Sequence, residues 1–210
     1  MIRVVVCDDH AIVRKGLVQI LSESGDIEVV AEAGNPGELR QRIRDLEFDV
    51  LVIDIEMPGK NGIETVQQMK KDRQKLAALI LSIYPEDQYA VRALKAGASG
   101  YLNKASAPEK LVEAVRHIAN GRKYISAEVS EALANAVSGD APEIPHEQLS
   151  DREFQVMKLI AAGKKLSDIA SELSLSPKTV SVYRARILEK MKLSGNVELA
   201  RYAMKHGLMD

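Results

Sequence analysis

Short apolar runs alternate with amphipathic stretches along the first 123 residues of the chain. The apolar runs have the length of buried strands and read IRVVVC, EVVAEA, DVLVIDI, LAALILS and GYLN. Stretches with helical spacing follow them, namely VRKGLVQILSES, PGELRQRIRDLE, IETVQQMKKDR, EDQYAVRALKAG and PEKLVEAVRHIANG. This alternation predicts an α/β domain whose parallel sheet is covered by helices on both faces. In such sheets, ligands bind outside the carboxyl ends of the strands.

The pattern changes at Leu149, after which only helical spacing remains. The later stretches are SDREFQVMKLIAAG, LSDIASELS, SPKTVSVYRARILEKMKL and GNVELARYAMKHG. Ser150 with Glu153 predicts a capping box, and Ser176 followed by Pro177 predicts another helix start. The C-terminal part is therefore expected to be an all-α domain.

A linker is expected between these two parts. The stretch SAEVSEALANAVSG predicts a helix opened by Ser126, and DAPEIPHEQ, with two prolines, predicts a connecting loop. The predicted organisation is a first domain at 1–123, a linker helix and loop at 124–148, and a second domain at 149–210.

Composition is that of an ordinary globular protein, with 46% hydrophobic and 28% charged residues. The single cysteine, Cys7, lies inside the first apolar run, so we expect it to be a small core residue in a reducing compartment. No stretch approaches the roughly 20 apolar residues that a membrane-spanning helix needs. A cytoplasmic protein with no membrane partner is expected.

Charge divides unevenly along the chain. Residues 1–148 carry 18 Lys and Arg against 23 Asp and Glu, a net charge of −5, whereas residues 149–210 carry 11 against 7, a net charge of +4. A basic C-terminal part is compatible with a polyanionic partner, although many solvated helices carry as much charge.

Three carboxylates and one lysine follow the predicted strands. Asp8 and Asp9 come after RVVVC, Asp54 comes after FDVLVI, and Lys104 comes after GYLN. A parallel sheet would bring all four to one edge. Aspartates at strand ends also serve as turn formers and helix caps, but carboxylates crowded together repel one another unless a cation lies between them. We therefore predict a magnesium and phosphate site.

The chemistry predicted for this site is acyl-phosphate formation. A carboxylate such as Asp54 can attack phosphorus when a divalent cation neutralises the approaching oxygens. Asp8, Asp9 and Asp54 would supply Mg²⁺ ligands, with a backbone carbonyl from Glu56 as a further ligand. Ser82 ends the fourth strand and could donate its hydroxyl to the same phosphoryl group.

The motifs CDDH, DIEMPG, LILS and GYLNK, in this order over about 120 residues, resemble the receiver domain of bacterial two-component response regulators. The resemblance implies a flavodoxin-like five-stranded parallel sheet of order 2-1-3-4-5. It also assigns roles to the matching positions: Asp54 phosphoacceptor, Asp8 and Asp9 magnesium pair, Ser82 switch hydroxyl, Lys104 phosphate-binding lysine, and Tyr101 aromatic switch. On sequence alone, Tyr101 could equally be a half-buried strand aromatic.

Two positions depart from the usual receiver pattern. Ala105 follows Lys104 where many receivers carry proline, and Ser82 stands where threonine is frequent. The hydroxyl and the ammonium remain, so the predicted chemistry is retained. The sequence does not predict the conformation of the peptide bond that follows Lys104.

The stretch SPKTVSVYRARILEKMKL has the features of a DNA-reading helix. Val180, Ile187, Leu188 and Met191 can form its apolar stripe. Basic residues near the ends could hold phosphates, and small residues could approach base edges. The predicted contacts are Lys178, Ser181, Val182, Arg184, Ala185, Arg186 and Lys190. The alternative is an ordinary amphipathic helix with a solvated basic face.

The last 60 residues resemble the LuxR-type helix-turn-helix of the NarL/FixJ subfamily, including LSDRE, LSLSPKTV and the closing KM. The family has four helices, and its groove-facing positions correspond to Lys178, Thr179, Ser181, Val182 and Arg184. Tyr183 stands where histidine is frequent. LSPKTV followed by tyrosine and arginine, with RYAMKHGL, looks most like the GacA/UvrY branch. The helix VELARYAMKHG is similar to the element through which these domains pair.

The combined resemblance implies a transcription regulator controlled by phosphorylation of Asp54. Its expected partners are a sensor histidine kinase, an inverted-repeat site in double-stranded DNA, a second copy of the chain when active, and RNA polymerase. It would not be an enzyme beyond self-catalysed phosphorylation and dephosphorylation. Two alternatives remain: a phosphatase or phosphotransferase working through an aspartyl phosphate, and an architectural DNA-binding protein whose receiver no longer responds to phosphate.

Overall fold

The computed structural model describes residues 1–57, 61–84, 86–127, 129–131, 133 and 145–209, except for the side chains at 87 and 88. The chain divides into two compact units, Met1–Val137 and Ser138–Asp210. Within the predicted linker helix, residues 127, 129–131 and 133 are helical, and the Ser126 hydroxyl accepts a hydrogen bond from the Val129 amide. The rest of that segment and most of the predicted loop lie outside the described residues.

The first unit contains the predicted parallel sheet. Its strands are β1 (Ile2–Cys7), β2 (Ile27–Ala33), β3 (Val50–Asp54), β4 (Ala77–Ser82) and β5 (Gly100–Asn103). They pair in parallel in the order β2-β1-β3-β4-β5, which confirms the predicted order. The order reverses between β1 and β3, so the crevice at their carboxyl ends is the expected ligand site.

Helices connect the strands. They are α1 (Ala11–Ser22), α2 (Pro36–Arg42), α3 (Gly62–Asp72), α4 (Glu86–Lys95) and α5 (Ala107–Ala119). Asn35 and Asn61 cap α2 and α3 through their side-chain oxygens, each accepting from backbone amides of the first turn. A 3-10 turn, Lys104–Ser106, separates β5 from α5.

Helix α2 is shorter than the sequence predicts. The stretch PGELRQRIRDLE suggests a helix to residue 47, whereas the observed helix ends at Arg42. The Arg73 guanidinium donates to the carbonyls of Ile43, Arg44 and Leu46. It also lies 5.4 Å from the centre of the Phe48 ring. These long-range bonds satisfy carbonyls that would otherwise need a helical partner.

Side chains from alternate positions of the strands form the two halves of the core. Val4, Val6 and Val52 pack on one face with Leu21 from α1 and Leu111 from α5. The intervening residues Val5 and Cys7 of β1, and those of β3 and β4, point to the opposite face and are also buried. Cys7 is among them and is 1% exposed, which confirms it as a core residue. Burial of both faces explains why the central strands β1, β3 and β4 show no alternation of apolar and polar residues.

The second unit is helical in its described part, as predicted. Its helices are α6 (Asp151–Ala161), α7 (Leu166–Glu172), α8 (Pro177–Lys190) and α9 (Asn196–Lys205), preceded by a 3-10 turn, Pro145–Gln148. The capping box of Ser150 and Glu153 is present, and the Ser176 hydroxyl caps α8. Among the described residues of both units, no helix is both long and apolar enough to cross a membrane.

Candidate functional site

The predicted carboxylates meet at the carboxyl ends of β1 and β3. These strands pair with Cys7 opposite Ile53, so the residues that follow, Asp8 and Asp54, become neighbours. Asp8 is 1% exposed and Asp54 is 4% exposed. Asp9 lies at the rim, with 26% of its side chain exposed. The sheet register therefore places two buried acids and one accessible acid together.

Lys104 reaches the same point from the end of β5. Its ammonium Nζ lies 2.7 Å from Asp54 Oδ2 and 2.8 Å from Asp8 Oδ2. One cation thus bridges the two buried carboxylates. Strand β4 lies between β3 and β5 in the sheet, so the contact has to span the width of one strand. The long side chain of lysine is able to do so.

Electrostatics in this cluster are unbalanced. Burial raises the pKa of Asp54 from 3.8 to about 6, against the opposing effect of Lys104 and with a further contribution from the charge of Asp8. Burial also disfavours the Lys104 ammonium, but the attraction of Asp54 and Asp8 outweighs it and raises the pKa of Lys104. The buried pocket holds more negative than positive charge, which favours a bound cation.

The donor set fits a hard divalent cation. Asp8, Asp9, His10 and Asp54 can each place one ligand atom within 4.8 Å of the others. The three carboxylates suit Mg²⁺, which prefers oxygen ligands and keeps several waters. The backbone carbonyl of Glu56 stays a predicted further ligand.

His10 is a residue that the sequence reasoning missed. Its amide donates to Asp8 Oδ1 at 2.8 Å, and its ring Nδ1 lies 2.8 Å from Asp9 Oδ1. The motif CDDH contains this histidine, so proximity in sequence to the acidic pair was an available signal. Because 65% of its side chain is exposed, His10 lies at the mouth of the site.

Ser82 and Tyr101 lie on the neighbouring strands. Ser82 ends β4, is 1% exposed, and accepts from the Tyr84 amide through its hydroxyl at 3.0 Å. Tyr101 is also 1% exposed, so it is fully buried and not half-buried. Its hydroxyl donates to the Tyr84 carbonyl at 2.8 Å. Both predicted switch residues therefore contact the same loop residue.

The loop after β4 carries a second set of contacts that sequence reasoning missed. The Tyr84 hydroxyl donates to Glu56 Oε1 at 2.6 Å, and the side-chain Nδ2 of Asn103 donates to the Tyr84 carbonyl at 3.1 Å. The Tyr84 ring also stacks on Tyr89, with centroids 4.8 Å apart. Tyr84 thus links the loop after β3, the start of α4 and the end of β5.

The pKa of Asp54 predicts how stability depends on pH in metal-free protein. The folded protein binds the proton of the Asp54 carboxyl group more tightly than the unfolded chain does, where the pKa is 3.8. The stabilisation of the fold by protonated Asp54 is therefore largest below pH 4 and is lost as pH rises through about 6. A shift of about 2 units corresponds to about 3 kcal/mol. In EDTA, the stability gained by Asp54→Asn over wild type should grow by about this amount between pH 4 and pH 7. Denaturant unfolding at both pH values measures it, and an equal difference at both would contradict the prediction.

In the second unit, α8 presents a surface of small and basic side chains. Val180, Ile187 and Met191 are buried and Leu188 is half-buried, as the predicted stripe requires. Most of the predicted DNA contacts are exposed on the remaining surface: Lys178, Ser181, Val182, Ala185 and Arg186. Val182 is 44% exposed although it is apolar. Such a face can approach base edges and contact a thymine methyl.

The other three predicted contacts have partners within the unit. Thr179 is half-buried, and its hydroxyl lies 2.8 Å from that of Ser176. Arg184 Nε donates to the side-chain oxygen of Asn196 at 2.7 Å, at the start of α9.

Lys190 Nζ lies 2.6 Å from Glu153 Oε2, a carboxylate of which 4% is exposed. Burial acts to raise the pKa of Glu153, but hydrogen bonds from Lys190 and Ser150 together outweigh it, so the pKa is lowered. Lys190 therefore also fixes α8 against the start of α6.

Replacing Lys178 and Lys190 separately by methionine should give different losses. Lys178→Met should weaken binding to all DNA sequences and reduce the salt dependence of the association constant by about one unit of slope. Lys190→Met should destabilise the unit by about 1–3 kcal/mol, because it removes the partner of the buried Glu153 carboxylate. Salt-dependent DNA titration and denaturant unfolding of both variants provide the measurement. Equal unfolding energies for the two variants would contradict the assignment of Lys190.

Two family models match the chain. The response regulator receiver domain matches residues 4–116, and the luxR family of bacterial regulatory proteins matches residues 147–203. The chain therefore belongs to the two-component response regulators with a LuxR-type DNA-binding domain. It is a DNA-binding regulator of that class, with the receiver first and the helix-turn-helix second.

Full-length relatives carry the names that the C-terminal motif suggested. The chain is 36% identical over 213 residues to response regulator GacA of Pseudomonas syringae pv. syringae (strain B728a), covering 100% of this chain and 99% of that protein. It is 35% identical over 211 residues to response regulator UvrY of Escherichia coli (strain K12), covering 100% of this chain and 97% of that protein.

Solved structures of response regulators are similar as well. RcsB from Salmonella enterica serovar Typhimurium, bound to promoter rprA in the presence of the phosphomimetic BeF3−, is 25% identical with a TM-score of 0.65; the match covers 96% of this chain and 97% of that one. A LuxR-family response regulator from Aurantimonas sp. SI85-9A1 is 33% identical with a TM-score of 0.59, covering 65% of this chain and 97% of that one.

Proposed function

We propose that this response regulator accepts a phosphoryl group on Asp54 from a sensor histidine kinase and that the modification controls its binding to DNA. The observation that carries this proposal is the buried Asp8–Lys104–Asp54 cluster, with Lys104 Nζ 2.8 and 2.7 Å from the two carboxylates. A cluster with one accessible acid, Asp9, at its rim has an open side for a phosphodonor.

The proposed reaction is a displacement at phosphorus. An oxygen of the ionised Asp54 carboxylate forms a bond to phosphorus, the bond from phosphorus to the imidazole nitrogen of the donor breaks, and that nitrogen keeps the electron pair. With a pKa of about 6, Asp54 is mostly ionised at neutral pH. Lys104 already contacts Asp54 and would pair with a phosphoryl oxygen.

Mg²⁺ is the proposed cofactor, held by Asp8, Asp9 and Asp54 with the carbonyl of Glu56. When bound, it would neutralise charge on the phosphoryl oxygens. The crowding of acids around a single lysine supports this assignment. We propose no enzymatic activity beyond self-catalysed gain and loss of the phosphoryl group.

The switch is proposed to run through Ser82 and Tyr101. The Ser82 hydroxyl would leave the Tyr84 amide and bond a phosphoryl oxygen, which changes the loop that Tyr101 contacts. A new anion at a bistable loop is a common way in which phosphorylation shifts a conformational equilibrium. The result would be altered dimerisation or altered contacts of the DNA-binding unit.

The output is proposed to be promoter binding by a dimer on an inverted repeat. The exposed face of α8 supports DNA reading, and exposed Val197 and Met204 on α9, 75% and 66% exposed, support pairing of two copies. RcsB has been described bound to DNA as dimers. RNA polymerase is a proposed partner at the promoter, and a cytoplasmic location follows from access to chromosomal DNA.

The magnesium requirement provides the direct experiment on the site. Phosphorylation by acetyl phosphate, followed by intact-protein mass spectrometry, is expected with Mg²⁺ and to be lost in EDTA. Asp9→Asn should raise the Mg²⁺ concentration needed for half-maximal phosphorylation by roughly tenfold or more, because it removes one charged ligand. The exposed Asp45→Asn is the control. Equal phosphorylation of wild-type protein in Mg²⁺ and EDTA would contradict the assignment of the metal.

A further inference from the structure

A short segment after α5 lies along the outer edge of the sheet. We call residues 122–125 the strap. Tyr124 forms a parallel bridge with Gly100 at the start of β5. The Tyr124 amide donates to the Ser99 carbonyl at 3.0 Å, and the Tyr101 amide donates to the Tyr124 carbonyl at 3.3 Å. The strap therefore adds a one-residue extension to the sheet beside β5.

A side-chain contact fixes the strap as well. Lys123 Nζ donates to the Ala98 carbonyl at 2.6 Å. Partial burial of the ammonium, with Lys70 nearby, lowers the pKa of Lys123, although the residue as a whole is exposed. Two successive strap residues are thus hydrogen-bonded to the backbone around β5. Lys123 bonds Ala98, just before the strand, and Tyr124 bonds Ser99 and Tyr101.

Gly100 makes the close approach possible. A Cβ at this position would lie 2.7 Å from the Tyr124 carbonyl oxygen and 2.9 Å from Ile118 Cδ1. Both distances are shorter than contacts between such atoms allow, and the first involves backbone. Any larger residue must therefore displace the strap or the end of α5.

Tyr101 connects the strap to the phosphorylation site. Its side chain contacts the Tyr84 carbonyl in the loop that also bonds Ser82, while its backbone amide contacts the strap at Tyr124. The strap lies within the first unit, spans the boundary between the predicted first domain and the predicted linker, and leads into the helical residues that begin at 127. A displacement of Tyr101 would thus reach the strap through a directional backbone hydrogen bond.

We propose that the strap carries the phosphorylation-dependent movement of β5 into the linker and so couples the receiver to the DNA-binding unit. This proposal rests on the proposed function of Asp54. It identifies Gly100 and Lys123 as positioning residues, because both hold the strap beside β5 and the strap in turn bonds the Tyr101 amide. A strap that only covers the exposed edge of β5 would instead affect stability alone.

The test compares phosphorylation and DNA binding in the full-length chain. The probe is a DNA duplex selected from a random-sequence pool by wild-type protein treated with acetyl phosphate and Mg²⁺. Coupling between two sites in proteins commonly changes affinity by about 5- to 150-fold, so the wild type should change DNA affinity within that range on phosphorylation. In Gly100→Ala, Asp54 should still be phosphorylated, while the change in DNA affinity should fall below about twofold.

Milder variants keep the test decisive if Gly100→Ala does not fold. Lys123→Met removes the ammonium donor but keeps much of the side-chain stem, and it should reduce the change in affinity at least about threefold. Lys123→Arg retains a donor and should restore the wild-type response. The matched control is Arg122→Met, because Arg122 is an exposed cation on the same strap.

Two results would overturn the proposal in different ways. If phosphorylated Lys123→Met shows the full wild-type change in DNA affinity, the strap does not carry the coupling although the proposed function stands. If wild-type protein is not phosphorylated, or its DNA affinity does not respond, the proposed function fails and the strap proposal fails with it.

Discussion

Replacing Asp54 with asparagine is expected to abolish phosphorylation, with no acyl phosphate detectable after treatment with acetyl phosphate and Mg²⁺. The amide oxygen is a poor nucleophile, and no other described carboxylate occupies the same position at the end of β3, beside the Lys104 ammonium at 2.7 Å. The cavity and the fold should be retained, since asparagine has nearly the same shape as aspartate.

The control for this experiment is Asp45→Asn, which removes a carboxylate from an exposed position between α2 and β3. It should accept the phosphoryl group at the wild-type rate. Mass spectrometry of peptides stabilised by borohydride reduction would locate the modified residue. Phosphorylation of Asp54→Asn at the wild-type level, for example through Asp9, would show that the acceptor has been assigned wrongly.

Replacing Gly62 with alanine is expected to cause the largest loss of stability among glycine-to-alanine substitutions in the described part of the receiver. A Cβ at Gly62 would lie 1.9 Å from the Asp54 carbonyl oxygen and 2.9 Å from its carbonyl carbon. The glycine amide also donates to the Ile55 carbonyl at 2.9 Å, which holds α3 against the loop after β3. The backbone must move, so we expect a loss of at least about 3 kcal/mol.

Gly16→Ala is the matched control because Gly16 lies inside α1, where an added Cβ would meet no atom within 4 Å. Alanine there should stabilise the protein by about 0.5–1 kcal/mol through helix propensity. Denaturant unfolding of both variants gives the comparison. Similar unfolding energies for Gly62→Ala and wild type would show that the close approach to Asp54 does not constrain the site.

The sheet and the acidic cluster could be predicted because both depend on short-range pattern. Each apolar run ends within one residue of the end of a strand, and parallel pairing then brings Asp8, Asp54 and Lys104 to one edge whatever the details of packing. Caps such as those of Ser150 and Ser176 could be predicted for the same reason, since they involve residues three apart.

Contacts between distant residues could not be predicted. Lys190 and Arg184 have the charge and position of DNA contacts, but their bonds to Glu153 and Asn196 depend on how helices pack together. The early end of α2 depends in the same way on Arg73, which is remote in sequence. Helical periodicity defines a face of a helix but not the partner on that face.

The loop after β4 illustrates the same limit within the site. Tyr84 is two residues beyond Ser82, yet its contacts involve Glu56, Tyr101 and Asn103 from two other segments. Its hydrogen bonds arise only after the sheet brings those segments together. The sequence identifies Ser82 and Tyr101 as candidates through their positions on strands, but it does not identify the residue that connects them.

The most direct test of the central claim is the DNA affinity of the full-length protein before and after treatment with acetyl phosphate and Mg²⁺, for wild type beside Asp54→Asn, on a duplex selected by the phosphorylated wild type. We expect phosphorylation to change the affinity of wild type by about 5- to 150-fold and to leave Asp54→Asn unchanged. The same affinity for both proteins in every condition would contradict control of DNA binding by the receiver.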